Sequence, residues 1–493
     1  MTKEEFIKLS KSYNVIPVYE RITGDMLTPV LAYLKLRKNN QFCFLLESVE
    51  GIGRLARYSF IGRDPSKIIS NRGNQLTITS PNNDTVTFTE NIFTYLKNEI
   101  ASYKFPIIKD VPDFTGGIVG YIGYENISLI EEKLVFEEHE NSETPDSILG
   151  IFNTIIAFDH YKHQLLLISN VHLDSSSNID AEYDKAKKKL KEIKEELSKP
   201  VQYKSDFKFS RKKVTDSSDS SFEEIVKKAK QNIYDGDIFQ LVISKRFTAS
   251  YKGDLLNLYR ALRIINPSPY MYFMEMPEEV TVIGTSPEDL IKVRDRKASI
   301  LPIAGTRKRG ATEKRDLELE AELLADPKEK AEHIMLVDLA RNDLGRVCDY
   351  NTVKIKEYMK IHRFSHVMHI VSRVEGTLKN NKDCIDAFTA AFPAGTVSGA
   401  PKIKAMELIH QYEKSLRNIY AGSVGYIDFR GNLDMCIAIR TLFSIKDKIH
   451  WQAGAGIVAD SKPELEYKEI NNKAAVLVNA LKYAEIIDEP NKE

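Results

Sequence analysis

The sequence predicts a mixed α and β fold, strand-rich towards its amino terminus. Up to about residue 172, short runs alternate apolar and polar residues, as in QLTITS (75–80), TVTFTE (85–90) and KHQLLLISNVHL (162–173). Gly, Asn and Asp punctuate these runs, a period-two pattern that marks strands. Beyond residue 221, apolar residues recur at helical spacing in segments that mix with further strand-like runs. The 493 residues and 42% hydrophobic content allow ample core. At roughly 150 residues per domain they also allow about two to four domains, or one large α/β unit with a second domain.

Residues 1–172 read as an amino-terminal domain of several strands and few helices. In 173–220, SSSN leads into DAEYDKAKKKLKEIKEELSKP, a highly charged helix ended by Pro200, and a polar, Ser-rich stretch follows. That composition predicts a solvated helix and linker. Residues 221–485 form the second domain, and 486–493 a tail. Ser221 stands three residues before Glu224 as a capping box. Phe222, Ile225, Val226, Ala229 and Ile233 follow at helical spacing, Asp235-Gly236 closes the helix, and FQLVISKRF is the next strand. In ADPKEKAEHIMLVDLARNDLG, Asp326 is a natural N-cap, Pro327 suits the first helical position and Glu329 completes the cap. The run Ile334, Met335, Leu336, Val337 predicts a buried helix. The last helix starts near Pro463 and runs through NNKAAVLVNALKYAEII. One internal echo stands out: GGIVGYIGYE (116–125) and AGSVGYIDFR (421–430) share a G-x-V-G-Y-I core. Shared strand composition accounts for it, or else two related sheet layers packed on each other.

Lys plus Arg and Asp plus Glu number 70 each, so the formal charge is zero. The basic surplus that nucleic-acid binding needs is missing, and nothing points to a membrane surface. No apolar run approaches the ~18 residues of a membrane span, and MTKEEFIKLS lacks the apolar core of a signal peptide. Cys43, Cys348, Cys384 and Cys436 are far apart with no CxxC pair. A reducing, cytoplasmic setting is expected, with neither a disulfide framework nor a zinc site.

Two helices present carboxylates at i, i+3: Glu329 and Glu332 on one, Glu466 and Glu469 on the other. Without a Cys/His set such pairs suit a hard cation, magnesium before zinc; capping and surface ion pairs are the plainer reading. No E-x-x-H accompanies them, which disfavours a di-iron bundle. FPAGTVSGAPK (392–402) ends in Lys402 but fails the P-loop spacing. QAGAGIVAD (452–460) holds G-x-G-x-x-A, yet its helix starts too late for a dinucleotide site; backbone N–H groups of such a turn still suit a carboxylate. Arg440, in MCIAIRTLF, and Arg307 either meet a substrate carboxylate or form structural ion pairs. His369, in SHVMHIV, faces a core or a cleft. Glu288 follows a strand and a Ser-Pro turn in GTSPEDL, a suitable place for a general acid. LPIAGTRKRG (301–310) combines a strand, a tight turn and a basic run around Ala304, which can do no chemistry. Together these features predict an enzyme with a magnesium site and an anionic small-molecule substrate.

A series of strings resembles the chorismate-utilising enzymes, and among them the large subunits of anthranilate synthases (component I). In order they are DIFQLVISKRF, GTSPEDL, PIAGTR, DPKEKAEHIMLVDLARNDLGRV, VMHIVSRVEG, FPAGTVSGAPK, YAGSVGYIDFRG, MCIAIRT, AGAGIVADS and ELEYKEINNKA, over about residues 221–485. LLESVEG (45–51) and RYSFIG (57–62) extend the likeness towards the amino terminus. The resemblance implies an α+β fold of two antiparallel β-sheet layers with flanking helices, not a doubly wound sheet. It implies Mg2+ on Glu332 and Glu469, with Glu329 and Glu466 nearby, facing the ring carboxylate of chorismate. Tyr420 and Arg440 would hold the enolpyruvyl carboxylate, and Gly305, Thr306, Gly454, Ala455, Gly456 and Lys473 would complete the pocket. Glu288 and Thr396 would be catalytic, Glu288 protonating the departing 4-hydroxyl, and His369 would serve the later aromatising step.

The same resemblance matches Glu47, Ser48, Asn266, Pro269, Tyr270 and Met271 to an inhibitory L-tryptophan site. It implies a glutamine amidotransferase subunit (component II) as partner, because no cysteine here sits in a Gly-rich elbow with a His. Alone, the chain is expected to use ammonia. Aminodeoxychorismate synthases typically carry Lys where this chain has Ala304, and isochorismate or salicylate synthases where it has Gln240. The resemblance therefore implies anthranilate and pyruvate as products, with aminodeoxychorismate synthesis or a non-catalytic tryptophan sensor as alternatives.

Overall fold

The computed structural model describes residues 1–38, 41–48, 57–136, 142–204, 206–210, 215–216, 222–363 and 367–489. Two antiparallel sheets stack face to face, with helices on both outer faces. Among the described residues one sheet has 13 strands and the other 12. Side-chain alternation sorts each strand between two cores. In Cys43–Glu47, Phe44 enters the inter-sheet core, while Cys43 and Leu45 meet the helices. In Gly117–Ile122, Val119 and Tyr121 enter the inter-sheet core, while Ile118 and Ile122 meet the opposite helix layer. The expected α+β class with two antiparallel layers is thus observed.

The chain traces this architecture twice. From one edge of the first sheet, Val15–Thr23, Gln164–His172, Thr154–Asp159, Tyr58–Arg63 and Cys43–Glu47 lie side by side. Gln240–Lys252, Lys448–Ile457, Thr441–Ile445, Val280–Ser286 and Tyr270–Glu275 repeat that order in the other half. The second sheet repeats in the same way. Thr85–Thr89, Gln75–Thr79, Lys67–Arg72, Ser147–Phe152 and Gly117–Ile122 correspond to Val367–Thr377, Lys297–Ile300, Asp289–Arg294, Leu433–Ile437 and Ser423–Asp428. The halves join strand to strand: Cys43–Glu47 pairs with Tyr270–Glu275 over five residues, and Gly117–Ile122 with Ser423–Asp428 over six. This second pair is the G-x-V-G-Y-I echo. Gly120 lies opposite Gly425, its own equivalent, as a two-fold relation requires. The echo therefore marks equivalent strands paired within one sheet, rather than layers packed on each other.

Helix starts follow their caps. The Asp326 carboxylate accepts from the Lys328 and Glu329 amides, and Pro327–Val347 follows. The Glu329 carboxylate takes Arg307 instead of closing a capping box. Of the apolar run in this helix, Leu336 and Val337 are buried, but Ile334 is 44% exposed. Four consecutive residues sweep around a helix and cannot all share its buried face. Ile179–Ser198 is not a solvated linker: Tyr183, Ala186, Leu190, Ile193 and Leu197 are buried in the core beneath the first sheet. Phe222–Tyr234 and Pro463–Ala484 form where expected, although Ser221 lies outside the described residues. Among the described residues, no helix is long and apolar enough to cross a membrane.

Candidate active site

The candidate residues gather at one end of the carboxyl-terminal half. Glu288 links Val280–Ser286 to Asp289–Arg294. Thr396 donates to its Oε2 at 3.1 Å. Desolvation raises the Glu288 carboxyl above the ordinary range, with Glu332 adding to it; Thr396, Lys473 and Arg440 oppose the shift. Glu288 therefore keeps its proton at higher pH than a free glutamate, as a general acid requires. Arg440 has a left-handed backbone, φ 51°, a strained conformation that tends to cluster at functional sites. Its guanidinium makes one long contact, to the Lys473 carbonyl at 3.4 Å, and among the described residues it has no carboxylate within ion-pair range. An arginine so placed is a ready receptor for a ligand carboxylate.

Burial pushes the Tyr420 hydroxyl up to about 12. A Cβ at Gly454 would come within 2.5 Å of that hydroxyl, and one at Gly456 within 2.7 Å of Gln240 Nε2. Both glycines thus clear space for neighbouring polar side chains. The sequence reads residues 454–456 as a turn, but they lie inside Lys448–Ile457, paired with Gln240–Lys252 from Ser250 opposite Lys448 to Leu241 opposite Ile457. Ala455 lies between them and packs into the core under the helices, so only its backbone faces the site. Lys473 donates to the Gly454 carbonyl at 2.9 Å and pairs with Glu469 at 2.6 Å.

Glu332 and Glu469 come from Pro327–Val347 and Pro463–Ala484. Burial, then Glu329, and more weakly Glu469, raise the Glu332 carboxyl. Glu466 is raised by burial and by Glu469. Among the described residues, no three His, Cys, Asp or Glu side chains converge to hold a metal ion unaided. The donors are nevertheless all oxygen, and their mutual repulsion is the condition a hard divalent cation relieves. Mg2+ commonly binds through one or two carboxylates, with water and substrate oxygens filling the rest of its shell.

The tight turn expected in LPIAGTRKRG is a bulged strand, Ile303–Lys308. Ala304 pairs with Ile370 and Thr306 with His369, leaving Gly305 as the extra residue at φ 66°, where glycine is favoured. A Cβ there would lie 3.1 Å from Glu329 Oε2. The bulge sets Gly305 O 2.9 Å and Thr306 Oγ1 3.0 Å from His369 Nδ1. Donation to the carbonyl puts the proton on Nδ1 and the lone pair on Nε2. Arg307 is engaged by Asp326 at 2.9 Å, Glu329 at 3.3 Å and Glu322 at 3.4 Å, so it takes the structural role. Lys402 likewise pairs with Asp343 at 3.0 Å.

One supporting pair escaped sequence reasoning. Arg417 and Glu413 form an ion pair at 2.7 Å with side chains 2% and 6% exposed. Arg417 also donates to the carbonyls of Val397, next to Thr396, and Val242, and stacks on Tyr420. Glu413→Ala would strand a buried guanidinium. A loss of about 3–5 kcal/mol in stability is expected, read as a lower midpoint in urea unfolding.

A second cavity of about 290 Å³ lies between the sheets where the halves meet. Glu47, Ser48, Pro269, Tyr270 and Met271 line it. Asn266 does not; it caps the preceding helix and donates to Thr285. Residues 49–51 of LLESVEG, and His366, lie outside the described residues. The opposite wall holds Asp289, Lys292, Asp434 and Cys436, which sequence reasoning missed. Asp289, Leu301 and Ile303 also line a small cavity beside Glu288 and Thr396.

Comparison with known proteins places this geometry. Residues 29–479 match the family of chorismate binding enzymes. Anthranilate synthase component 1 of Aquifex aeolicus is 43% identical, covering 98% of each chain; that of Acetivibrio thermocellus is 41% identical with the same coverage. The structure of anthranilate synthase component I from Streptococcus pneumoniae matches with a TM-score of 0.74 at 36% identity, covering 93% of this chain and 99% of that one. The menaquinone-specific isochorismate synthase of Escherichia coli, 19% identical with a TM-score of 0.68, shares the fold. The chain belongs to the chorismate binding enzyme family.

Proposed function

We propose that the chain is the chorismate-binding component of an anthranilate synthase. Ammonia adds to carbon 2 of chorismate, the 4-hydroxyl leaves as water after protonation by Glu288, and loss of pyruvate and the carbon 2 proton gives anthranilate. The observation that carries this reading is a buried Glu288, its carboxyl raised by desolvation, beside an Arg440 that among the described residues has no carboxylate partner, with no amine at Ala304 or Gln240. Arg440 and the Tyr420 hydroxyl suit the enolpyruvyl carboxylate. Thr396 orients the acid, and the Nε2 lone pair of His369 suits removal of the ring proton. Glu332 and Glu469, with Glu329 and Glu466 near, would hold Mg2+, which neutralises the ring carboxylate when bound. Ammonia would come from glutamine through a separate amidotransferase subunit, and the inter-sheet cavity would take L-tryptophan as inhibitor.

The test uses purified chain with chorismate, a magnesium salt and an ammonium salt. Anthranilate fluorescence should appear, fall on chelation and on adding tryptophan, and stay absent with glutamine in place of ammonium. An aminodeoxychorismate product, isochorismate or no turnover would reject the assignment.

A further inference from the structure

Among the polar groups lining the inter-sheet cavity, Asp289 is unsatisfied. It is 8% exposed, and neither carboxylate oxygen has a hydrogen-bond partner of good geometry. The neighbouring acids are all engaged. Asp434 accepts from Tyr270 Oη at 2.8 Å and pairs with Lys292 at 3.3 Å. Glu47, on the facing sheet, accepts from Tyr259 Oη at 2.5 Å and pairs with Arg263 at 3.3 Å. Burial pushes the Asp289 carboxyl up to about 7, with the Lys292 charge and the Leu301 amide offsetting only part of that cost. A buried polar group without a partner is costly and calls for an explanation.

Its direction has a local cause. The ladder between Asp289–Arg294 and Leu433–Ile437 slips between Asp289 and Ile291. Asp289 thus sits opposite Cys436, and Lys292 opposite Asp434, all four lining the cavity. The same cavity wall carries the apolar Leu301, Ile303 and Val424. An occupant whose charged end lies by Glu47 and Ser48 on one sheet turns its other end towards Asp289 on the other.

We propose that Asp289 is the specificity-determining acceptor of this cavity, taking a hydrogen bond from a ring N–H at the far end of an aromatic amino acid. The inference rests on reading the cavity as an effector site for tryptophan, whose indole carries such an N–H. Asp289 then separates tryptophan from rings of equal size that lack a donor.

Binding to the purified chain is measured by calorimetry for L-tryptophan and for its isostere with a benzothiophene ring, in which sulfur replaces the N–H. A hydrogen bond to a buried carboxylate predicts a preference for tryptophan on the order of 10- to 100-fold. Asp289→Leu should erase the preference, and Asp289→Asn, which keeps a carbonyl acceptor, should retain part of it. Inhibition of anthranilate formation should weaken in step with binding. Equal binding of both ligands to the wild-type chain would overturn the inference while leaving the effector site intact, as would a preference that survives Asp289→Leu. Binding of neither ligand would reject the effector reading itself, and this inference with it.

Discussion

Glu288→Gln is expected to lower anthranilate formation by roughly 10²- to 10⁴-fold, the range that a positioned general acid supplies. Gln preserves the shape and can still meet the Thr396 hydroxyl, but it has no proton to give a leaving hydroxyl. The loss should fall on kcat, because Arg440 and Tyr420 still bind. The pH profile separates acid catalysis from mere packing. The Glu288 carboxyl is raised by desolvation, so the wild-type rate should be full below that raised pKa and fall as pH rises through it. The variant's residual rate should lack that alkaline limb. A variant that keeps the limb, or a tenth of the activity, would assign the acid elsewhere.

Ala304→Lys is expected to remove anthranilate formation, by on the order of 10²-fold or more, the scale set by misplacing reacting groups by about an ångström. Ala304 is 8% exposed and lies in the strand beside the Gly305 bulge, which itself approaches Glu329. A lysine there adds four heavy atoms and a charge where ammonia must approach the ring. Ala304→Met supplies bulk without the amine, so loss in both variants indicates blocking. Loss in the lysine variant alone, with a mass shift for trapped ring, indicates a competing nucleophile. Thermal unfolding of each variant checks that the fold survives, since overpacking costs about 1–3 kcal/mol. Undiminished activity in Ala304→Lys would reject the account of this position.

Local rules made part of this site legible. Asp326 and Pro327 announce the start of Pro327–Val347, and that start sets Glu329 and Glu332 one turn apart. GTSPEDL announces Glu288 in the same way, because a strand end followed by Ser-Pro is a short-range signal. Two bulges were not legible. Period-two reading assumes an unbroken ladder, and one extra residue changes which side chains share a face. The slip after Asp289 hides its place beside Lys292 in the cavity, and the bulge at Gly305 looks like a turn. The packed face of Ile179–Ser198 was masked by the many charged residues of its other face, such as the exposed Lys185, Lys188, Lys191 and Lys194. Arg417 and Glu413 stand only four residues apart, but their burial, like the cavity wall, depends on segments far apart in sequence, such as Val242, which no local pattern encodes.

The doubled architecture also governs how the molecule yields to force. A hinge between halves would have to unzip five backbone pairs in one sheet and six in the other together. The seam is stiff against both opening and sliding, since either would break these hydrogen bonds together, whereas a small change of twist distorts them without breaking them. A small molecule wedged between the sheets at that seam would act less as a bolt across a door than as a shim under a beam. Its effect would travel along strands such as Asp289–Arg294, whose first residue follows Glu288 directly, as a slight change in twist.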